Sequence, residues 1–427
     1  MYGKLLKYYL EQQRWTRLSA DEIRDRQTLK FRRLFKFARM HSPFYRKVYN
    51  EAGVENLEIR TFEDIQKVPV VDKAMMRAHS TEEIMTHPIT PDLVLTTTSG
   101  STGEPFKVYQ SKYEQYTSHL RILWMLTALG YRPWHQILML WRLDPSSVLP
   151  IERDLSLLTR LRKAFKVFRR DILSIYADPE EVISWIQARP NAYVLLTTPA
   201  VLNILCEQME IFGISFKLKL TILLAEPLPP EQRDRFARFM GGRVVSHYGL
   251  MECPTIAFDS GLNENKRIFA NAFMTELLNI KEKDNVPHGD LVITNLVNWT
   301  MPFIRYNTHD TTAIIDDLDC PSKIIGPIHG RVSDVLELPH GGKLARHQAN
   351  SLFTDFDECY QFKFVQTSSG EIVLRLKKRS GIDESLIREK ALDRWNKRYA
   401  GEPLKIEFVE TLPIDPKTGK FKLLERL

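Results

Sequence analysis

Residues 96–109 read TTTSGSTGEPFKVY, a stretch that gathers small hydroxyl side chains around two glycines. Five of the six residues at 96–101 carry a hydroxyl group, and the whole chain of 427 residues has only 19 glycines. The preceding LVLTT (93–97) is typical of a strand. A turn of this composition can direct backbone N–H groups and hydroxyls at a phosphate, because no large side chain blocks the approach.

Two well-known alternatives for such a stretch are excluded by its spacing. No Gly-Lys-Ser/Thr follows, so it is not a Walker A loop, and it lacks the Gly-x-Ser-x-Gly pattern of a nucleophile elbow. A solvated Ser/Gly loop remains the alternative to phosphate binding while the stretch is taken alone.

The composition is that of a globular protein with more than one domain. Hydrophobic residues make up 43% and charged residues 26% of the chain. Apolar runs are too short to span a bilayer, and the first residues turn polar before a signal core could form. The four cysteines are far apart, without zinc-ligand or disulfide spacing, which predicts reduced thiols and a cytoplasmic protein. The net charge of +7 suits an anionic ligand and gives no support for nucleic-acid binding.

The pattern of hydrophobic residues predicts three regions. Residues 5–50 have helical periodicity, broken at Ser42-Pro43. From about 92 to 310, short β-branched or apolar runs alternate with helical stretches, as in an α/β protein. A smaller unit follows residue 330, with strand-like EIVLRLKK (371–378) and LKIEFVE (404–410) around a helix-like segment. We therefore predict a change of domain near residue 330.

Six short motifs follow one another along the chain. They are TSGSTGEP (98–105), AEP (225–227), YGLMEC (248–253), PFIRYNTHD (302–310), GRVSD (330–334) and DPKTGKFK (415–422). In this order they resemble the adenylate-forming superfamily of acyl-CoA synthetases. The greatest likeness is to the phenylacetate–CoA ligase group, including its capsular-polysaccharide adenylate-forming branch. It covers nearly all of the chain from about residue 30.

That resemblance implies a fold and a reaction. The fold is a large multi-sheet α/β N-terminal domain (1–329), a hinge (330–334) and a small mobile α+β C-terminal lid domain (335–427). The reaction uses ATP and Mg²⁺ to convert a carboxylic acid, expected to be aryl or arylacetic, into an acyl-adenylate. The acyl group then passes to a thiol such as coenzyme A. Domain closure of this kind excludes water and completes a site.

The resemblance also implies the residues that hold the nucleotide. The phosphate loop is Thr98, Ser99, Gly100, Ser101, Thr102 and Gly103. Tyr248 and Gly249 lie along the adenine, and the segment Ala225, Glu226 and Pro227 lies along the nucleotide and acyl pocket. Asp310 accepts hydrogen bonds from the ribose hydroxyls, a role suited to an acceptor-only carboxylate.

Three residues are expected to act on the reacting groups. Glu252 is the Mg²⁺ ligand, since a carboxylate supplies the hard oxygen that this ion prefers. Arg331 lies beside the ribose or phosphate. Lys420 is the adenylation lysine, whose ammonium on a flexible stem can reach the acid and the α-phosphate together. Lys417 and Lys422 are less favoured for that role.

Two positions depart from the family pattern. Met251 stands where the family usually has Thr or Ser, which removes a hydroxyl near the expected metal. Ser333 stands at the hinge position, where Asp or Lys is common, and Asp334 follows it. The sequence does not decide which of these two is the pivot.

The acceptor and the partners remain open at this stage. Coenzyme A, a carrier-protein phosphopantetheine, an amine, or a hydroxyl that receives AMP each fit the chemistry. A non-catalytic nucleotide-binding scaffold is the competing class, and a homodimer is included among the expected assemblies. The basic segment 159–171 is either a solvated helix or a dock for an acidic partner or an anionic membrane surface.

Overall fold

The computed structural model describes residues 2–98, 106–141, 168–283, 286–313, 324–331, 335–353, 356, 358–414 and 421–427. Its helices are α1 Tyr2–Trp15, α2 Ala20–His41, α3 Pro43–Glu51, α4 Phe62–Gln66, α5 Lys73–Arg77, α6 Thr81–Ile84, α7 Lys112–Ala128, α8 Pro179–Gln187, α9 Pro199–Phe212, α10 Pro230–Met240, α11 Arg346–Phe353 and α12 Glu384–Arg398. 

The strands alternate with these helices along the chain. They are β1 Val71–Asp72, β2 Val94–Thr98, β3 Phe106–Gln110, β4 Gln136–Trp141, β5 Arg170–Ser174, β6 Ala192–Thr197, β7 Leu220–Leu223, β8 Arg243–Tyr248, β9 Ala257–Phe258, β10 Lys266–Ile268, β11 Phe273–Lys283, β12 Val286–Asn295, β13 Tyr306–Ala313, β14 Ile324–Ile325, β15 Ile328–Arg331, β16 Val335–Glu337, β17 Lys343–Ala345, β18 Cys359–Gln366, β19 Ile372–Lys378, β20 Lys405–Phe408 and β21 Leu424–Arg426.

The helical N-terminal region is confirmed, with a break at the predicted place. Helix α2 ends at His41 and α3 begins at Pro43. Ser42 serves both helices: its backbone N–H donates to Ala38 O, and its side chain accepts from Tyr45 N. Because a proline is tolerated in the first turn of a helix but not in its interior, Pro43 starts a new helix here.

The chain forms two compact units, each made of two separate segments. The first contains residues 1–130 and 247–328, and the second contains residues 131–246 and 329–427. The division between residues 328 and 329 is close to residue 330, where the sequence pattern predicts a change of domain. The finer domain scheme of 1–329, 330–334 and 335–427 stays a prediction.

In the first unit, a sheet has the strand order β1-β13-β12-β11. Strand β1 is parallel to β13, and the other pairs are antiparallel. A separate antiparallel pair joins β2 to β3, with Thr98 opposite Phe106. Thr98 and Phe106, which flank residues 99–105, are therefore adjacent, and residues 99–105 lie outside the described part of the chain.

In the second unit, parallel strands follow the order β5-β4-β6-β7-β8. Helices α8, α9 and α10 connect β5, β6, β7 and β8 in turn, as parallel pairing requires. Strand β7 is buried along its whole length, which explains its unbroken apolar sequence LTIL. This is the α/β architecture that the alternating sequence predicts.

The C-terminal part of the second unit is α+β. Its sheet has the order β20-β19-β18-β21, and α12 packs on it through the fully buried Trp395. The predicted strands at 371–378 and 404–410 correspond to β19 and β20, and the predicted helix between them to α12. The indole N–H of Trp395 donates to Glu402 O at 2.8 Å, so its polar group is satisfied inside the core.

Candidate active site

Tyr248 and Asp310 form a buried hydrogen bond in the first unit. Tyr248 is the last residue of β8, and its hydroxyl donates to Oδ2 of Asp310 on β13 at 2.7 Å. Asp310 is only 6% exposed. Its backbone N–H donates to Oγ1 of Thr308 at 3.1 Å, which helps to fix the strand at this point. The two residues that the sequence assigns to adenine and ribose are thus in direct contact.

Glu252 lies close by on the loop that follows β8. It is 2% exposed, and the hydroxyl of Tyr306 donates to its Oε1 at 2.7 Å. The ammonium of Lys73, at the start of α5, is 3.6 Å from the same oxygen. A buried carboxylate needs such partners, because burial disfavours an isolated charge.

Strand β13 brings the two carboxylates together. Tyr306 and Asp310 both belong to β13, both are buried, and each contacts a residue of segment 248–252. That segment therefore lies against β13 through two hydroxyl–carboxylate hydrogen bonds. The predicted metal ligand Glu252 and the predicted ribose ligand Asp310 are therefore both positioned by contacts between β13 and segment 248–252.

The turn between Tyr248 and Glu252 requires glycine at its first position. A Cβ atom on Gly249 would lie 2.7 Å from Thr255 N and 3.1 Å from Cε1 of His247. Leu250 N donates to Cys253 O at 3.0 Å, which closes the turn. Met251, which departs from the family pattern, is 52% exposed.

Side-chain contacts from other elements hold the backbone of residues 302–305, just before β13. Arg305 is buried, and its guanidinium forms an ion pair with Glu276, with Nε 3.0 Å from Oε2. The hydroxyl of Tyr45 accepts from Ile304 N at 3.0 Å and donates to Pro302 O at 2.9 Å. These contacts hold the backbone before Tyr306 in place, and a ligand site needs such rigid support.

Burial dominates the electrostatics near Tyr248. It lowers the pKa of His247 to about 4, with further lowering by Lys266 and Arg121. It also raises the pKa of the Cys253 thiol well above its usual range. Both side chains are therefore neutral near pH 7.

The segment 225–227 belongs to the second unit and follows β7. Ala225 has a φ of 71°, the left-handed region that alanine rarely adopts. Oε1 of Glu226 accepts from the backbone N–H of Phe421 at 3.1 Å. Phe421 directly follows Lys420 in the sequence. This hydrogen bond therefore joins the predicted nucleotide segment to the residue next to the predicted adenylation lysine.

Several predicted residues lie outside the described part of the chain. These are Ser99, Gly100, Ser101, Thr102, Gly103, Ser333, Asp334, Lys417, Gly419 and Lys420. Thr98 ends β2 and Arg331 ends β15. Of the basic segment 159–171, only the last four residues are described. The roles of all these residues stay predictions.

Sequence reasoning missed three residues of the site. Tyr306 lies inside the quoted motif PFIRYNTHD, so its nearness to Asp310 in sequence was a usable signal. Lys73 and Tyr45 gave none, because each is more than 170 residues away from its partner in the chain. Within the described residues, no helix is long and apolar enough to cross a membrane.

The comparisons with known proteins agree with this architecture. No family model matches the chain. It is 25% identical to the phenylacetate-coenzyme A ligase of Pseudomonas putida over 332 residues, which is 74% of this chain and 72% of the relative. The Thermus thermophilus enzyme of the same name is also 25% identical, over 75% of this chain and 72% of its own.

Solved structures extend the likeness to most of the chain. The 2-hydroxyisobutyryl-CoA ligase structure in the postadenylation state superposes with a TM-score of 0.75 and 20% identity, covering 95% of this chain and 90% of the other. The anthranilate CoA ligase AuaEII, in complex with anthranoyl-AMP, gives a TM-score of 0.54 and 16% identity, covering 77% and 65%. The chain is therefore similar in sequence to the phenylacetate-coenzyme A ligases and similar in fold to solved CoA ligases.

Proposed function

We propose that the protein is an ATP-dependent, AMP-forming acid ligase that passes its acyl group to coenzyme A. The observation that carries this proposal is that contacts between β13 and segment 248–252 position both Glu252 and Asp310. Two buried carboxylates held by Tyr306 and Tyr248 give one group for a metal and one for a ribose. A fold kept only as a scaffold has no physical need for both.

The chemistry of Glu252 fits Mg²⁺. Both described contacts of this carboxylate engage Oε1, and the nearest cation, Lys73, is 3.6 Å away. A carboxylate in this setting is a hard oxygen ligand. When bound, Mg²⁺ would neutralise phosphate charge that otherwise repels the anionic acid. Glu252 would hold it, and Tyr306 would orient Glu252.

The nucleotide would be held by the residues named from the sequence. Asp310 would accept from the ribose hydroxyls, and Tyr248 and Gly249 would lie along the adenine. The hydroxyls and N–H groups of 98–103 would bind the phosphates. Positioned donors of this kind typically contribute on the order of 3 kcal/mol each to transition-state stabilisation.

The reaction would proceed in two displacements. A carboxylate oxygen attacks the α-phosphorus of ATP, the bond to the bridging oxygen breaks, and pyrophosphate leaves. The thiol of coenzyme A then loses its proton to solvent and attacks the acyl carbon, and AMP leaves with the bonding electrons. Lys420 would balance charge on the acid and the α-phosphate in the first step.

The names of the curated relatives and of one structural neighbour support an aryl or arylacetic substrate, and a second neighbour supports coenzyme A as the acceptor. The curated relatives are phenylacetate-coenzyme A ligases, and a structural neighbour is the anthranilate CoA ligase AuaEII. The 2-hydroxyisobutyryl-CoA ligase has also been solved in complex with 2-HIB-AMP and CoA. We therefore propose an aryl or arylacetic acid as substrate and coenzyme A as acceptor.

The test is ATP–pyrophosphate exchange with a panel of aryl, arylacetic and aliphatic acids. At least one acid should support exchange in the presence of Mg²⁺, and mass spectrometry of the products with coenzyme A or amines offered in parallel identifies the acceptor. Lys420→Ala should slow exchange by on the order of 100-fold or more while nucleotide still binds. Lys417→Ala is the matched control and should retain activity. Absence of exchange across the whole panel would overturn the proposal in favour of a scaffold.

A further inference from the structure

A cleft in the second unit is lined by cationic side chains. Its walls are the end of α9, one face of α10, and Arg379, which directly follows β19. Its volume is about 560 Å³. Its charged lining is Arg235, Arg238, Arg379 and Glu210. Three guanidinium groups therefore face one carboxylate.

That one carboxylate is shared. Arg379 Nη1 contacts Oε1 of Glu210, and Arg235 Nη2 is 3.6 Å from Oε2. Arg238 has no ion pair with any described residue, and it is exposed. The cleft thus keeps a surplus of positive charge after its own carboxylate is counted.

Several buried donors in the cleft lack a hydrogen bond, although Nη1 of Arg235 donates to Oδ1 of Asn203 and Nη2 makes the 3.6 Å ion pair with Glu210. Nε and Nη2 of Arg235 and Nε of Arg379 are buried, and none of them has a hydrogen-bond partner among the described residues. Buried donors are almost always satisfied, so each such group needs an explanation. A bound acceptor supplies one.

The neighbouring side chains make no hydrogen bond to these donors. Oε1 of Glu207 is paired with Lys377 and its Oε2 has no hydrogen-bond partner among the described residues, while burial raises the pKa of the Cys206 thiol to about 12, which keeps it neutral. Burial also lowers the pKa of Arg235, so its charge is held at a cost. An anion in the cleft would relieve that cost.

The cleft is separate from the proposed nucleotide segment. Segment 213–219 precedes β7, whereas segment 225–227 follows it. A strand of four residues spans about 13 Å, so the two lie at opposite ends of β7. The main ligand of an open parallel sheet binds at the carboxyl ends of the strands, the end that carries Glu226, so the cleft at the amino end of β7 is a different site.

We propose that this cleft binds a phosphate group, which bridges α10 and the C-terminal sheet through Arg235, Arg238 and Arg379. Guanidinium forks match phosphate oxygens in geometry and charge, and a dianion can accept from several of them at once. The volume exceeds what inorganic phosphate fills, so the group can be carried on a larger molecule. Inorganic phosphate and a nucleotide 3′-phosphate share this chemistry.

The experiment is isothermal titration calorimetry of the full chain with two probes, inorganic phosphate and adenosine 3′,5′-bisphosphate. Arg238→Gln removes an exposed side chain and should not disturb folding; Arg379→Gln tests the C-terminal side. Each should weaken phosphate binding by about tenfold, the loss of one charge-assisted hydrogen bond. Glu210→Gln should strengthen binding severalfold, because it removes the competing carboxylate. This opposite sign cannot result from unfolding.

The matched control is Lys397→Gln, which removes one exposed positive charge from α12 and should leave binding unchanged. Tighter, Arg238-dependent binding of the bisphosphate identifies a nucleotide as the source of the phosphate, whereas equal binding identifies the free ion. The proposal is overturned if wild-type protein binds neither probe. It is equally overturned if Arg238→Gln and Arg379→Gln bind phosphate as wild type does, which would place the anion elsewhere. None of these outcomes depends on acid activation.

Discussion

The ammonium of Lys73 lies 3.6 Å from the carboxylate oxygen of Glu252 that also accepts from Tyr306. The two ionic side chains are 19% and 3% exposed. A metal that binds Glu252 would therefore compete with a lysine already present. This relationship couples the stability of the first unit to the proposed Mg²⁺ site.

Lys73→Gln should lower the free energy of unfolding and increase the stabilisation that Mg²⁺ gives. Without Mg²⁺, Glu252 is left buried without its cation, at a cost of about 2 kcal/mol. Thermal denaturation with a non-hydrolysable ATP analogue should show a larger Mg²⁺-dependent rise in Tm for the variant than for wild type. Lys67→Gln, which breaks an exposed pair with Asp64, should change stability by less than about 0.5 kcal/mol. An equal Mg²⁺ response in variant and wild type would separate Lys73 from the metal site.

Tyr248→Phe should weaken nucleotide binding through Asp310. The variant keeps the aromatic ring and loses the hydroxyl that donates at 2.7 Å to Oδ2. Loss of one such bond costs about 1–2 kcal/mol, so the KM for ATP should rise by about tenfold with a smaller change in kcat. Pyrophosphate exchange at varied ATP gives both constants. A KM equal to that of wild type would show that this bond does not position the ribose ligand.

Gly249→Ala should destabilise the protein by about 1–3 kcal/mol, because the new Cβ would lie 2.7 Å from the backbone nitrogen of Thr255. Urea denaturation measures this loss. Gly3→Ala is the control, since no atom lies within 4 Å of its Cβ position and it belongs to α1. That change should be neutral or stabilise by up to about 1 kcal/mol. Equal stability of Gly249→Ala and wild type would mean that the turn adjusts freely.

Glu226 should matter for the first half-reaction through the backbone of Phe421. Glu226→Ala removes the acceptor at 3.1 Å and should slow pyrophosphate exchange by about tenfold, because the segment carrying Lys420 loses an anchor. Glu226→Gln keeps an acceptor oxygen and should retain most of the rate. If both variants lose the same activity, the charge of Glu226 matters and the anchoring role is wrong.

His247 should make stability depend on pH between about 6.5 and 4. Its pKa falls to about 4 in the folded chain, chiefly through burial. In that window the unfolded chain binds a proton that the folded chain does not, so stability is complete above pH 6.5 and falls as pH drops. The loss attributable to this residue is about 3 kcal/mol, from a pKa that falls from 6.5 to about 4. His247→Gln should flatten the pH dependence of the urea midpoint by that amount, and an unchanged slope would contradict the assignment.

The local elements follow from the sequence because their signals are local. The break at Ser42-Pro43, the alternation that gives β6, β7 and β8, and the periodicity of α12 each depend on residues within one or two turns or strands. The candidate site residues Tyr248, Glu252 and Asp310, whose roles stay predictions, were named from ordered motifs for a similar reason, because each motif is a short continuous segment.

The partners of those residues come only from the tertiary structure. Lys73 reaches Glu252 because β1 pairs in parallel with β13, which sets Val71 opposite Tyr306. In the cleft of the second unit, Arg235 and Arg379 are 144 residues apart in the sequence and both contact the carboxylate of Glu210. Contacts of this range depend on strand register and packing, which no local pattern records. Local sequence patterns predict the elements and the chemical groups of this protein, whereas tertiary packing sets which charges face each other.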